Sequence, residues 1–438
     1  MPMGFAWRSR KGRGWTGPAA RWRAAGRRAL ALVAAAVWIL GLWGGAGPAG
    51  PRVQAQEGAP GGAGQGAGGA AGQGNLNIQA RSAVLVDATT GQELYAQNAD
   101  ELIPPASLAK IMTLDLVFHA LEEGRLALDQ QVPVSEAAWR LSVQAGLGGP
   151  SAMFLEVGER VRIEDLIRGV AVASGNDAST VLAEAVAGSE EAFVRLMNQH
   201  AAEIGMKNSV FSNSHGLPGG QQHVTARDMA RLALHVLEAH PDILRYTSLK
   251  YFEWKDFAPQ PNYNRLIFRD PRVDGLKTGH LSEAGYHLVA TARDGDRRLV
   301  SVVLGAASDA LRVGESQRLL DYGFQQFTNT RVAFGENGRQ GVSVYKGARS
   351  QVTVEPATAP VVTVPKTDAG EVRTRVEMQE PLVAPLEKGQ RVGTLTIEDA
   401  QGRVLRTVPL VTAQAVPRGG FFRVLWDSVR LLFRNLFA

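Results

Sequence analysis

Ser107-Leu108-Ala109-Lys110, Ser174-Gly175-Asn176 and Lys277-Thr278-Gly279 follow one another along a chain of 438 residues. A serine hydroxyl is a poor nucleophile until a neighbouring base takes its proton. A lysine whose charged form is disfavoured by burial can be that base. Residues three apart share a helix face, so Ser107 and Lys110 can meet if the segment is helical. Ser174 and Asn176 place a hydroxyl and a carboxamide on a short loop, suited to relaying a proton and orienting a substrate amide. Lys277 and Thr278 offer a positive charge and a hydroxyl to a carboxylate, and Gly279 leaves room where substrate must approach a strand. Acyl transfer through a serine ester is the chemistry this set can perform.

Each element also has an ordinary reading: an N-capping serine with a solvated lysine, a capping turn, and a surface Lys-Thr before a turn glycine. The chain supplies its own control. Ser343-Val344-Tyr345-Lys346 repeats the serine-lysine spacing in a period-2 segment, where residues three apart point to opposite faces. The bare spacing therefore means little, and the ordered trio carries the argument.

The elements that must position these residues can be read from periodicity. Ser82–Asp87 and Glu93–Ala96 are strand-like runs around Thr89-Thr90-Gly91. Ala106 to Leu121 has a helical pattern with Ile111, Leu114, Val117 and Phe118 on one side. Further helical patterns cover 163–172, 178–187, 190–204, 226–237 and 315–326, with Ser189 as an N-cap. Val273–Gly279, Gly285–Ala292 and Arg297–Leu304 read as strands, the last two joined by Arg293-Asp294-Gly295-Asp296, a hairpin signal. Helices clustered between antiparallel strands predict a mixed α/β domain over 76–329. Short Val-rich runs separated by Gly and Pro predict a small all-β domain over 330–416, without a catalytic cluster. No internal repeat is present.

Composition narrows the function. The formal net charge of +5 comes from the start of the chain: residues 1–55 hold nine Lys/Arg and no acid, and the remainder carries a net −4. A nucleic-acid partner is therefore not expected. The basic start, the apolar run Ala29 to Trp43 and the small-residue end Val53-Gln54-Ala55 predict a secretory signal over 1–55. An uncleaved anchor is the alternative, and Arg27-Arg28 is a weak hint of twin-arginine export. Residues 56–75, nearly all Gly, Ala, Gln and Pro, predict a flexible linker. The chain has no cysteine, which removes thiol catalysis and disulfides. The eight histidines show no ligand-type spacing, so neither a metal nor another cofactor is expected.

From Ala80 to Phe327 the chain resembles the serine-type D-alanyl-D-alanine carboxypeptidases, the low-molecular-mass penicillin-binding proteins. Besides the trio, the resemblance rests on Pro105-Ala106-Ser107, Lys110-Ile111-Met112-Thr113, Ala173 to Ala178, His215-Gly216-Leu217 and Val273 to His280. It implies a penicillin-binding-protein/β-lactamase-like transpeptidase domain, an antiparallel sheet with a helical cluster, followed by the β-domain and an amphipathic tail. It also implies that Ser107 is acylated with Lys110 as its base, that Ser174 relays the proton and that Asn176 holds the substrate amide. Lys277 and Thr278 would face the terminal carboxylate, with Arg312 a loose match to a family arginine nearby. The backbone N–H groups of Ser107 and His280 would form the oxyanion hole. The substrate would be the peptidoglycan stem pentapeptide, and β-lactams would be covalent inhibitors. One departure is Leu108-Ala109, where the family more often has threonine before the lysine. A β-lactamase is a rival, but no E-x-E-L-N-type segment is present; a non-catalytic wall or β-lactam receptor is another.

The tail, 417–438, remains. Arg423, Asp427, Arg430 and Arg434 recur on one helical stripe, while Phe422, Leu425, Val429, Leu432, Phe433 and Leu436 occupy the rest. Its charges and short length disfavour spanning. The pattern predicts an interfacial helix on the outer face of the cytoplasmic membrane, with Pro417 and Gly419-Gly420 as a flexible hinge before an independent element; a helix docked on its own β-domain is the alternative.

Overall fold

The structure is a computed structural model that describes residues 76–437, with side chains described through 434. The expected signal (1–55) and linker (56–75) lie outside the described residues.

The chain enters as strands β1 (Ser82–Asp87) and β2 (Glu93–Gln97). Six helices longer than one turn follow: α1 (Ala109–Glu122), α2 (Glu136–Gly146), α3 (Ile163–Arg168), α4 (Asn176–Ala187), α5 (Glu190–Glu203) and α6 (Ala226–Ala239). Strands β3 (Val273–Leu281), β4 (Gly285–Asp294) and β5 (Arg297–Ala306) then complete a five-stranded sheet in the order β2-β1-β5-β4-β3. Every pairing in it is antiparallel. Strand β3, which carries Lys277, is an edge.

Strand side chains alternate between two cores, as the pleat requires. Val84, Val86, Val300, Val302 and Leu304 join the helical cluster on one face. Ala83, Leu85, Leu299 and Val303 join helix α7 (Asp309–Gln326) on the other. Burying a sheet on both faces is what lets a cysteine-free chain hold a rigid site.

Three elements differ from the periodicity reading. Helix α2 is not in it, because its apolar stripe is thin; Ser135 caps it by accepting from Ala138 N. The helix expected over 163–172 becomes α3 plus one wide turn, Gly169–Ala173, which ends in Ser174 at φ 56. Helix α7 begins at Asp309, six residues before Glu315, because Ser308 accepts from Leu311 N and starts the helix there.

Beyond α7 the chain is all-β. Residues 327–331 pair with 361–365, and a six-stranded sheet closes over a separate core that includes Val354, Leu395, Ile397 and Leu410. The last element is helix α8 (Phe421–Phe437). The expected hinge before it is hydrogen-bonded: Gly419 N donates to Lys346 O, and Ala348 N donates to Pro417 O. Asp427 Oδ2 accepts from Lys346 N at 2.6 Å, and Arg434 pairs with Glu380 at 2.8 Å. Glycine permits a bend but does not prevent main-chain pairing, so α8 is docked on the β-domain through Asp427 and Arg434 rather than independent.

Candidate active site

Ser107 lies in a single 3-10 turn, Ala106–Leu108, that leads into α1. The turn is shaped by its neighbours. Ala106 has φ 49, a left-handed conformation that costs free energy for any residue with a Cβ. Gly216, at φ +83, backs onto it: a Cβ there would lie 1.7 Å from Ala106 O. Gly279 approaches from β3, where a Cβ would be 3.2 Å from Ala106 Cβ and from Pro105 O. His287 Nε2 donates to Pro104 O at 3.1 Å while its Nδ1 accepts from Gly305 N at 2.9 Å. Burial pushes that imidazole down to about 4, so it is neutral and keeps this tautomer. Ser107 itself stays half-buried, open to a ligand.

Lys110 is fully buried one turn on. Its Nζ stands 3.0 Å from Ser107 Oγ, 2.7 Å from Asn176 Oδ1 and 2.8 Å from His215 O. Burial is the largest cause that pushes its pKa well below the ordinary lysine value; the charge of Lys277 adds to this and Asp177 opposes it. The partners matter as much as the shift. Asn176 Oδ1 and His215 O can only accept, so a neutral amine gives its two N–H bonds to them. Its lone pair is then left facing Ser107.

Asn176 begins α4, and its Nδ2 donates to Ser151 O at 2.8 Å, so both ends of the amide are engaged. Ser174, buried at the end of the wide turn, shares this loop. The loop is anchored by Asp177. Its carboxylate accepts from Met153 N, Leu155 N and Ser142 Oγ at 2.8–3.2 Å.

Lys277 and Thr278 are buried on β3, and Lys277 Nζ donates to Thr278 O at 3.1 Å. Burial, with help from Arg312, pushes Lys277 down to about 7. Arg312 on α7 donates to Gly279 O at 3.0 Å and to His287 O, and pairs with Asp309 at 2.5 Å. It therefore braces the Lys277-Thr278-Gly279 strand from behind. His280 is exposed at the strand end and stacks on Tyr286 with ring centroids 4.1 Å apart. A cleft of about 610 Å³ adjoins the site through Ser151 and Ala173, with Tyr263, Arg265 and Arg269 on its walls.

All three sequence elements thus converge on one place, and Ser343/Lys346 does not. Ser343 lies on a β-domain strand, and Lys346 binds Asp427 of α8 through its backbone.

Residues 69–308 match the family of D-alanyl-D-alanine carboxypeptidases, which is more than half of the chain. This chain belongs to that family. Residues 330–418 match the C-terminal domain of penicillin-binding protein 5. D-alanyl-D-alanine carboxypeptidase DacC of Escherichia coli (strain K12) is 40% identical over 364 residues, covering 83% of this chain and 90% of the relative. The carboxypeptidase DacF of Bacillus subtilis (strain 168) is 36% identical over 80% of this chain and 89% of its own length. Penicillin-binding protein 5 from Haemophilus influenzae superposes with a TM-score of 0.73 at 35% identity, covering 79% of this chain and all of that one.

The protein is accordingly a serine-type D-alanyl-D-alanine carboxypeptidase with the fold of penicillin-binding protein 5, and the β-lactamase alternative is not favoured. The motifs of this carboxypeptidase include Asp177 and His215-Gly216-Leu217 but assign them no role: the loop-anchoring carboxylate, the His215 carbonyl and the close approach of Gly216 become visible only in the fold. The Ser151 carbonyl left no signal, because main-chain atoms carry no side-chain pattern.

Proposed function

We propose that Ser107 attacks the carbonyl between the two terminal D-alanine residues of a peptidoglycan stem pentapeptide, with neutral Lys110 taking its proton. The observation that carries this reading is the Lys110 environment: two carbonyl oxygens take its hydrogens, so the lone pair remains for the serine. The tetrahedral oxyanion is held by the backbone N–H groups of Ser107 and His280, donors of a kind worth about 10²–10³ in rate each. Ser174 passes the proton to the departing D-alanine nitrogen, and Asn176 orients the substrate amide. Water then cleaves the acyl-serine. A β-lactam, whose amide stands in for the scissile bond, acylates the same hydroxyl. The structure of penicillin-binding protein D2 from Listeria monocytogenes in the ampicillin-bound form, 30% identical with a TM-score of 0.51, supports extending that chemistry to this chain.

In this mechanism charged Lys277, with Thr278, receives the substrate's terminal carboxylate, while Arg312 positions them. Replacing Lys277 by Ala is expected to lower kcat/KM for peptides ending in a free carboxylate by about 10²-fold or more, since a desolvated anion loses its partner. The corresponding amides should lose far less; equal losses would point to a general structural defect. The pH profile follows from the sign of the shift. Lys277 is charged below about 7 and neutral above it, so kcat/KM, which reports the free enzyme, should fall on the alkaline side from near that pH. Lys110 must be neutral, so it sets the acid limb. Lys277→Arg, which does not titrate in this range, should lift the alkaline limb. An unchanged alkaline limb would remove Lys277 from this role.

We also propose that the enzyme works outside the cytoplasm, on the outer face of the cytoplasmic membrane, held there by α8. With Asp427 and Arg434 docked on the β-domain, Phe422, Leu425, Trp426, Val429, Leu432 and Phe433 are exposed, Phe422 being 84% exposed. An apolar, aromatic-rich helix face of this kind suits a lipid interface. Among the described residues no helix is long and apolar enough to cross a membrane. A chain lacking 1–55 and ending at Gly420 should be active and remain in the supernatant when membranes are sedimented. Co-sedimentation undiminished by the truncation would locate the attachment elsewhere.

A further inference from the structure

Four of the eight histidines and two acids gather behind the catalytic helix, away from Ser107. Asp115, on α1, is completely buried, yet among the described residues its charge faces no Lys or Arg. It faces imidazoles. His200 Nε2 from α5 stands 2.8 Å from Asp115 Oδ2, His235 Nε2 from α6 stands 3.7 Å from the same oxygen, and His240 Nε2 stands 3.5 Å from Oδ1. Oδ1 has no hydrogen-bond partner among the described residues. A buried carboxylate oxygen left unpaired is costly, and a cation removes that cost.

We propose that Asp115, His200 and His235 bind a divalent transition-metal ion of the zinc type, with His240 beside them as a fourth donor. The donor atoms of Asp115, His200 and His235 lie within 4.8 Å of one another, and His240 Nε2 lies 3.5 Å from Asp115 Oδ1. Four-coordinate zinc with bonds of 2.0–2.1 Å needs donors about 3.3 Å apart, so small rotamer adjustments suffice. The outer contacts match those of metal-bound imidazoles, whose second nitrogen is usually held by a carboxylate. His240 Nδ1 lies 2.8 Å from Glu122 Oε1, and His200 Nδ1 lies 3.6 Å from Glu203 Oε2. Each leaves Nε2 for the ion. Nitrogen and oxygen donors with no sulfur favour zinc, copper or nickel over magnesium or calcium. Entry is open, because the His235 side chain is 31% exposed while Asp115 is sealed. Bound there, the ion ties α1, α5 and α6 together and braces the helix that carries Lys110. The donors come from positions 115, 200, 235 and 240, which is why linear spacing concealed them.

The test uses the full chain in mild detergent, stripped with chelator and titrated with zinc chloride by calorimetry. A parallel titration with cobalt chloride reports coordination in the visible spectrum. One zinc per chain is expected, with the cobalt spectrum of a four-coordinate site and a melting temperature raised by a few degrees in excess zinc. His200→Gln and His235→Gln should each weaken binding at least tenfold. Both residues are partly exposed, so these variants should fold, and unchanged penicillin acylation checks that they do. The proposal is overturned by the absence of stoichiometric uptake, or by uptake undiminished in the double variant. It is equally overturned if His119→Gln abolishes uptake while His235→Gln leaves it intact, because the ion would then sit among His119, Glu122 and His240.

Discussion

Ser107→Ala should abolish covalent labelling by a radiolabelled penicillin and lower D-alanine release from a stem pentapeptide by about 10⁴–10⁶-fold. The estimate follows serine enzymes in which loss of the nucleophile alone removes nearly all the benefit of the catalytic set. The size rests on geometry. The turn around Ser107 is held by Gly216, Gly279 and the His287–Pro104 hydrogen bond, none of which needs the hydroxyl, so the variant should fold and bind. Peptide mapping of the wild-type adduct should find the drug on the peptide that contains Ser107. Labelling that survives the substitution, or an adduct mapped elsewhere, would remove Ser107 as nucleophile. Ser343→Ala and Lys346→Ala serve as controls and should leave acylation unchanged, because that pair lies in the β-domain.

Lys110→Ala should be nearly as severe, with acylation slowed by about 10³–10⁴-fold, within the range for losing a general base. A second consequence separates this role from simple packing. Lys110 satisfies Asn176 Oδ1 and His215 O, so its removal strands two buried acceptors and should also lower stability. Lys110→Arg restores donors but not a titratable base, because a guanidinium stays charged. If Arg recovers thermal stability without recovering acylation, the lysine acts as a base. Recovery of both would reduce it to a structural donor.

Much of the architecture was legible from local pattern. Strands β1, β4 and β5 read as short, mostly apolar runs because both faces of the sheet are buried, and the Asp-Gly at the end of β4 marks the hairpin to β5. The all-β character of the second domain follows from its Val-rich runs. Other features were hidden by their own physics. Helix α2 rests on a thin apolar stripe and one capping serine, so periodicity alone does not reveal it. The wide turn at Gly169–Ala173 keeps helical composition while altering the helical register, and it delivers Ser174 in a left-handed conformation. The Pro417–Gly420 segment reads as a hinge because glycine and proline report permitted conformations, not the main-chain partners that then bind them.

By itself the sequence determined the kinds of chemistry available: a hydroxyl and an amine three residues apart, a hydroxyl and an amide on a loop, a cation and a glycine on a strand. It also determined that no thiol takes part. Those facts are local and survive any folding of the chain. Tertiary structure decided how these groups behave. Burial disfavours the charged form of Lys110, and two carbonyl oxygens from distant segments accept its hydrogen bonds. Burial together with Arg312 brings Lys277 to about 7. Only packing carries Asp427 and Arg434 of α8 onto the β-domain and leaves its apolar face outward. Only packing assembles Asp115, His200, His235 and His240 from three helices and the residue that follows the third. Desolvation and the convergence of distant groups depend on three-dimensional neighbours, and no linear pattern encodes them.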